Sequence, residues 1–259
     1  KGEAGALLVG AFEPNAKPWG MDGIPEDFCF DELPEDLEHF MPVLEGAMKR
    51  VPLLQETGIR KFFCGPESFT PDDRYHLGEA PELPGFYVAA GLNSIGIQSA
   101  GGIGKVLASW IVDGHAPFDL WEVDIRRNEL FQNNARYLKE RVSETLGLLY
   151  DNHFPYRQYA TSRGVRTTPF WDQWRDLGAC FGEGAGWERP NWFAPKGVKP
   201  AYEYSFKRQN WFEHSAAEHQ ATREGVALYD LSGFTKFLVQ GPDAEATLQR
   251  ISAGDMAVE

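Results

Sequence analysis

A disulfide framework is the first thing this sequence cannot supply, because its 259 residues hold only three cysteines, Cys29, Cys64 and Cys180. They are odd in number and far apart, which fits reduced thiols in the cytoplasm or an organelle such as the mitochondrial matrix. Basic runs are missing too. The net charge is −13, and no cluster of lysine or arginine is long enough to follow a phosphate backbone, which excludes a nucleic-acid partner. No apolar run approaches the roughly 18 residues of a membrane-crossing helix, and the N-terminus shows neither Met nor a signal-peptide pattern. Metal-ligand spacing is absent: six histidines have no carboxylate or cysteine suitably placed, and His214 and His219 do not form HExxH. There is also no GxGxxG after a first strand with an acidic residue about 20 positions on. The nearest match, Gly101-Gly102-Ile103-Gly104, has the wrong spacing.

What is present reads as a folded domain rather than disorder: 42% of residues are hydrophobic and 24% charged, within the globular range. The most telling stretch is Gly85–Gly114. Phe86 to Ala90 reads as a short buried strand, a glycine-spaced loop follows, and Val106, Leu107, Trp110 and Ile111 recur at helical spacing before Gly114 stops the helix. A strand feeding directly into a helix leaves bare backbone N–H groups at the helix start, where the dipole favours an electron-rich partner. The same pattern serves equally as a tight turn where a helix packs on a sheet.

Elsewhere, Gly5–Phe12 reads as a buried strand. An apolar stripe from Asp36 to Arg50 predicts a helix whose start, given Pro42, falls near Phe40. Residues 61–63 suggest a further strand, and 128–150 a helix with Leu130, Tyr137, Leu138, Val142, Leu146 and Leu149 on one face. Pro190, Pro195 and Pro200 predict irregular chain packed with Trp187, Trp192, Phe193 and Trp211. His214–Glu224 is helical, Thr235–Gln240 a strand, and 244–251 the start of another helix.

Several blocks together resemble the dimethylglycine and sarcosine dehydrogenase family. Gly65–Gly114 is similar to the returning half of its flavin domain, built like D-amino-acid oxidase. The likeness continues through Asp119–Arg127, Ser162–Asp172, Gly186–Phe193 and Arg208–His219. Val226–Ala244 is similar to the opening of a glycine-cleavage-type, folate-binding aminomethyltransferase. The resemblance implies an α+β fold with α/β character in three parts. Residues 1–116 would be the second half of an FAD-dependent oxidoreductase domain, 117–172 a connector, and 173–259 the N-terminal part of a folate-binding domain. It implies an internal fragment, inactive alone, of an enzyme that uses FAD to demethylate dimethylglycine or sarcosine and passes the one-carbon unit to tetrahydrofolate. Oxygen or an electron-transfer flavoprotein would accept the electrons. The alternative is a regulatory protein of the same architecture, like the pyruvate dehydrogenase phosphatase regulatory subunit.

By the same resemblance, Asn93, Ser94, Ile95, Gly96, Ile97 and Gln98 form the turn beside the isoalloxazine, with backbone donors near its N1/C2 oxygen edge. Gln98 stands where monomeric sarcosine oxidases hold a carboxylate-binding lysine; a neutral amide forfeits the charge-assisted part of that bond. Cys64 lies one position from the flavin-linking cysteine of those oxidases, and on a strand one step reverses the side chain, so it is expected to be a plain buried thiol. His76 either approaches the substrate side or is structural. Glu188–Phe193 is either a ligand wall or an aromatic knot between domains. Phe234 matches a position bordering folate, where core packing is equally open.

Overall fold

The computed structural model describes residues 2, 3 and 5–257. Among these, strands pair as three separate antiparallel ribbons: β1 (Gly2–Glu3) with β2 (Ala6–Leu7), β3 (His76–Glu79) with β4 (Tyr87–Ala90), and β5 (Ala179–Gly184) with β6 (Trp187–Phe193). Six α-helices accompany them: α1 (Leu37–Arg50), α2 (Gly96–Asp113), α3 (Ala135–Leu148), α4 (Trp171–Asp176), α5 (Phe212–Glu224) and α6 (Ala244–Ile251).

The middle ribbon and α2 follow the course read for Gly85–Gly114, but the strand is not buried: Phe86, Ala89 and Ala90 are exposed, since the ribbon has only two strands to cover it. β4 enters a bend and α2 leaves it, ending at Gly114, whose N–H returns to the Trp110 carbonyl. Trp110 is 4% exposed, and its ring lies where a side chain on Gly78 of β3 would be: a Cβ there would sit 2.6 Å from the indole. A bare backbone at Gly78, with φ of 113°, is what lets α2 lie down on the ribbon.

Several expectations from the sequence are corrected. Gly5–Phe12 is strand only at Ala6–Leu7, and Leu7 is exposed, because a strand needs a neighbour to pair with and, among the described residues, the ladder with β1 spans only those two positions. The helix expected from Phe40 begins at Leu37, with Asp36 accepting the His39 amide at 3.0 Å as its cap, so Pro42 sits inside. Residues 61–63 form no strand; nearby, Leu33 makes a single bridge to Cys64. Thr235–Gln240 is likewise unpaired, with Phe237 and Leu238 exposed. The helix foreseen over 128–150 is shorter, starting at Ala135 where Asn134 caps the Tyr137 amide, after two 3₁₀ turns.

The segment around Pro190, expected to be irregular, is instead the longest ribbon. Pro190 pairs opposite Phe181 next to a register shift at Cys180/Phe181, and a two-stranded ribbon tolerates proline because both strands are edges. Trp192, at 1% exposure, centres a core with Cys180 and Ala194, against which Tyr202 and Trp211 pack.

Helix α3 ties the parts together. Tyr137, Arg141 and Thr145 are buried four residues apart on one face. Arg141 donates to Glu183 of β5 and to the Thr161 carbonyl, both at 2.7 Å, between the rings of Tyr137 and Tyr159. A second buried pair, Arg163 with Glu188, fastens the connector to β6. Despite these ties, the accessible surface is 19019 Å², whereas a compact chain of this length exposes about 11,000 Å². Large apolar side chains stand open along 226–239 and on α2 at Ile97, Ile111 and Val112.

Candidate functional site

The bend between β4 and α2 is held in an uncommon backbone conformation. Asn93 and Ser94 have φ of 46° and 61°, left-handed values that cost about 1–3 kcal/mol each without glycine. The surroundings supply the restraint. Gly91 brings the chain so close to Thr70 that a Cβ would lie 2.6 Å from its methyl group. Asn93, 2% exposed, turns its side chain inward: Oδ1 accepts the Thr70 amide at 2.8 Å and Nδ2 donates to Thr70 Oγ1 at 3.2 Å. The Asn93 amide itself donates to the Ser68 carbonyl.

Thr70 is in turn fixed from two sides. Its hydroxyl reaches the Arg74 carbonyl at 2.9 Å, and its carbonyl accepts Thr145 Oγ1 of α3 at 3.1 Å. Two residues on, Asp72 receives both Nε and Nη2 of Arg127, at 2.7 and 2.9 Å. Arg127, nearly buried, also donates to the carbonyls of Arg74, Tyr75 and Asp124. A planar guanidinium satisfying a carboxylate and three carbonyls is a fixed strut, which lysine could not reproduce. Beside it, the Leu77 amide bonds to the Val123 carbonyl at 2.8 Å, and the Arg126 guanidinium lies over the Trp110 ring.

Within the six-residue turn the amides divide. Those of Asn93 and Ile95 are taken by Ser68 and Leu92. The first bond of α2's ladder is Ser99 to Ile95, so among the described residues the amides of Ser94, Gly96, Ile97 and Gln98 have no protein acceptor. No side chain caps the helix start. Ser94, Ile97 and Gln98 are exposed while Asn93, Ile95 and Gly96 are drawn inward. An exposed cluster of donors at the positive end of an 18-residue helix suits an electron-rich rim such as that of an isoalloxazine. The residues present therefore fit a flavin.

Two titratable groups flank this turn. His76 of β3 pairs with Ala90, and its Nε2 is buried without a partner. Burial, then the nearby Arg127 charge, hold its pKa below the usual imidazole value, so the ring is neutral at neutral pH. Asp73, at φ 55°, has a buried Oδ1 with no partner; burial first and the Asp72 charge second push its pKa up to about 6.

The other sequence candidates are scattered. Gln98 projects outward on the first turn of α2. Cys64 is half-buried, and its backbone rather than its thiol is engaged, with Leu33. In Glu188–Phe193, Trp192 stacks on His214 with ring centres 5.5 Å apart and Glu188 is consumed by Arg163, so the interior of this strand is packing. Phe234 is half-exposed under the Arg189 guanidinium, and Gly233 lies against Trp187. The Thr70, Asp72, Arg127 and Thr145 restraints escaped sequence reading. The one signal available was Thr70-Pro71-Asp72-Asp73, a run of turn formers able to bond the backbone with their own side chains.

Comparison with known proteins places these parts. Residues 2–110 match the family described as FAD dependent oxidoreductase, 113–168 its central domain, and 170–259 the GCVT N-terminal domain. The chain is 49% identical over 257 residues to 4-methylaminobutanoate oxidase (formaldehyde-forming) of Paenarthrobacter nicotinovorans, covering 99% of this chain and 31% of the relative. It is 37% identical over 259 residues to the mitochondrial pyruvate dehydrogenase phosphatase regulatory subunit of Mus musculus, covering 98% and 29%. With human mitochondrial sarcosine dehydrogenase it shares 35% over 277 residues, covering 97% and 30%. It thus spans about a third of the length of the curated relatives it matches. With all three domain types matched in one order, the chain is similar along nearly its whole length to the FAD-dependent sarcosine and dimethylglycine dehydrogenases.

Proposed function

We propose that the polypeptide carrying this chain oxidises small N-methylated amino acids and passes the released one-carbon unit to tetrahydrofolate. In it, residues 1–116 complete the FAD domain, 117–172 connect, and 173–259 open the folate domain. The observation that carries the reading is the Asn93–Gln98 bend, whose four unspent amides are presented by a strained backbone that buried bonds hold in place. Bound FAD supplies the two-electron acceptor for oxidation at the N-methyl carbon. The amides of Ser94, Gly96, Ile97 and Gln98 would hold the rim of the flavin, and a preorganised set of dipoles there would favour negative charge without rearranging. Gln98, exposed beside them, offers a neutral carboxamide to the substrate side. The relatives named as an oxidase of 4-methylaminobutanoate and a sarcosine dehydrogenase support N-methylated amino acids as the substrate class.

The second reading, a regulatory protein, draws on the 37% identity to the phosphatase regulatory subunit. Anaerobic mixing separates the two. The full-length protein is loaded with FAD and titrated with sarcosine, dimethylglycine and 4-methylaminobutanoate. Bleaching of the flavin by one of them, with methylene-tetrahydrofolate formed when folate is added, is the expected result. Bound flavin that none of the amines bleaches would refute oxidation and favour the regulator. Oxygen uptake in a parallel aerobic series separates oxygen from a transfer flavoprotein as the acceptor.

A further inference from the structure

We propose that the connector sets the position of the flavin-facing bend through Thr145 of α3, making Thr145, Thr70 and Asn93 positioning residues for the redox chemistry. The proposal rests on the flavin reading above for its redox arm and on geometry alone for its structural arm.

Thr145 is fully buried, at 0% exposure, on a helix 75 residues along the chain from its partner, the Thr70 carbonyl. A threonine hydroxyl on a helix has a ready local acceptor, here the Val142 carbonyl at 3.1 Å. Its equally near approach to Thr70 is therefore not needed to satisfy Thr145, but its one hydrogen, shared between the two acceptors, gives the buried Thr70 carbonyl a donor nearer than the Asp73 amide, which reaches it only at 3.5 Å. The Thr70 peptide is shared ground: its carbonyl faces α3, and its amide faces Asn93 Oδ1 at 2.8 Å. Asn93 then carries the left-handed bend. Moving Thr70 moves the acceptor and donor that keep Asn93 in that conformation, and with it the direction of the next four amides. Arg127, gripping Asp72 and the carbonyls of Arg74 and Tyr75, holds the other end of the same loop, so the loop has no slack to absorb a shift. The next residue up the α3 face, Arg141, bonds Glu183 of β5. The same helix face thus bears on the C-terminal ribbon and on the bend.

The test uses the full-length protein with Thr145→Val, which keeps shape and removes the hydroxyl, and Thr145→Ser, which keeps the hydroxyl. Two quantities are read: hydrogen exchange of the Asn93 and Ile95 amides, the two that are hydrogen-bonded in the bend, without flavin, and the midpoint potential of the bound flavin. Loss of one buried hydrogen bond corresponds to exchange at the bend about tenfold faster in Thr145→Val. The potential is expected to fall, because less well-aimed amides stabilise reduced flavin less. Thr145→Ser is expected to restore both. Unchanged exchange of the Asn93 and Ile95 amides in Thr145→Val, or a Ser variant as perturbed as the Val variant, overturns the proposal even if thermal stability has dropped. If Thr145→Val does not fold, Asn93→Gly replaces it, relieving the left-handed strain while deleting the link to Thr70. Faster exchange there supports the proposal, and wild-type exchange overturns it. Should the wild-type protein bind no flavin, the redox reading fails, while the exchange arm still decides whether α3 holds the bend.

Discussion

Expressed without the longer polypeptide proposed above to carry it, the chain should not fold cooperatively, and the exposed surface says by how much. The chain exposes 19019 Å², about 1.7 times the 11,000 Å² or so of a compact protein of equal length. Slightly more than half of such surface is apolar as a rule. At about 25 cal/mol per Å², the uncovered excess withholds a gross burial energy on the order of 100 kcal/mol, far above the 5–15 kcal/mol by which domains are stable. The exposed residues Val226, Leu228, Phe237, Leu238 and Ile251 show where much of that surface lies. Expressed alone, the chain is expected to bind a hydrophobic dye, to unfold over a broad denaturant range, and to scatter X-rays with a radius of gyration clearly above the roughly 18 Å of a compact 259-residue domain. The longer polypeptide should bind little dye and unfold sharply. A dye-silent fragment with a single sharp transition and a radius near 18 Å would show that these faces need no cover, and the reasoning from exposed area would be wrong.

Three further outcomes follow from single sites. Asp73 holds its proton more tightly when folded, at about 6 against a usual 3.8. Its contribution is therefore fully present below 3.8 and is lost as pH rises through 6. Asp73→Asn, neutral throughout, should stabilise the full-length protein by about 1 kcal/mol above pH 6 and not below pH 4, after discounting for partial exposure. Urea unfolding at the two pH values reads this, and an equal effect at both would count against it. Gly78→Ala drives a Cβ into the Trp110 ring at a positive φ. It is expected to cost about 3 kcal/mol and to alter the near-ultraviolet circular dichroism of tryptophan. Glu188→Ala leaves Arg163 without its carboxylate between connector and β6 and should cost about 3–5 kcal/mol, measured by exchange protection of β5 and β6. A loss under 1 kcal/mol would mean that water replaces the pair.

How much of this was legible in the sequence depended on whether a residue's role was local. The course of Tyr87–Gly114 was readable because an apolar strand, a small-residue bend and a helical stripe each announce themselves within a few positions. The six-residue turn was placed by resemblance. The donors within it sort into spent and unspent only once Ser68 and Leu92 are seen to take the Asn93 and Ile95 amides. Helix α3 shows the limit most clearly. Its apolar pattern put Tyr137, Leu138, Val142 and Leu146 on one face; Tyr137 and Leu146 are buried, but the other buried positions are Arg141 and Thr145 rather than Leu138 and Val142. Hydropathy assigns an arginine and a threonine to solvent. They are interior here because Glu183, 42 residues away, and the Thr70 carbonyl, 75 residues away, satisfy them, and no local window contains those partners. The ribbon around Pro190 was missed for the opposite reason. Proline is a sound local argument against a central strand, and it fails where both strands are edges. Thr235–Gln240 has strand composition and no strand, since composition supplies a preference while a ladder requires a neighbour. The residues that orient the candidate site, Thr70, Asp72, Arg127 and Thr145, all belong to the non-local class. Polar side chains buried by distant partners are where the chemistry of this chain is held in place.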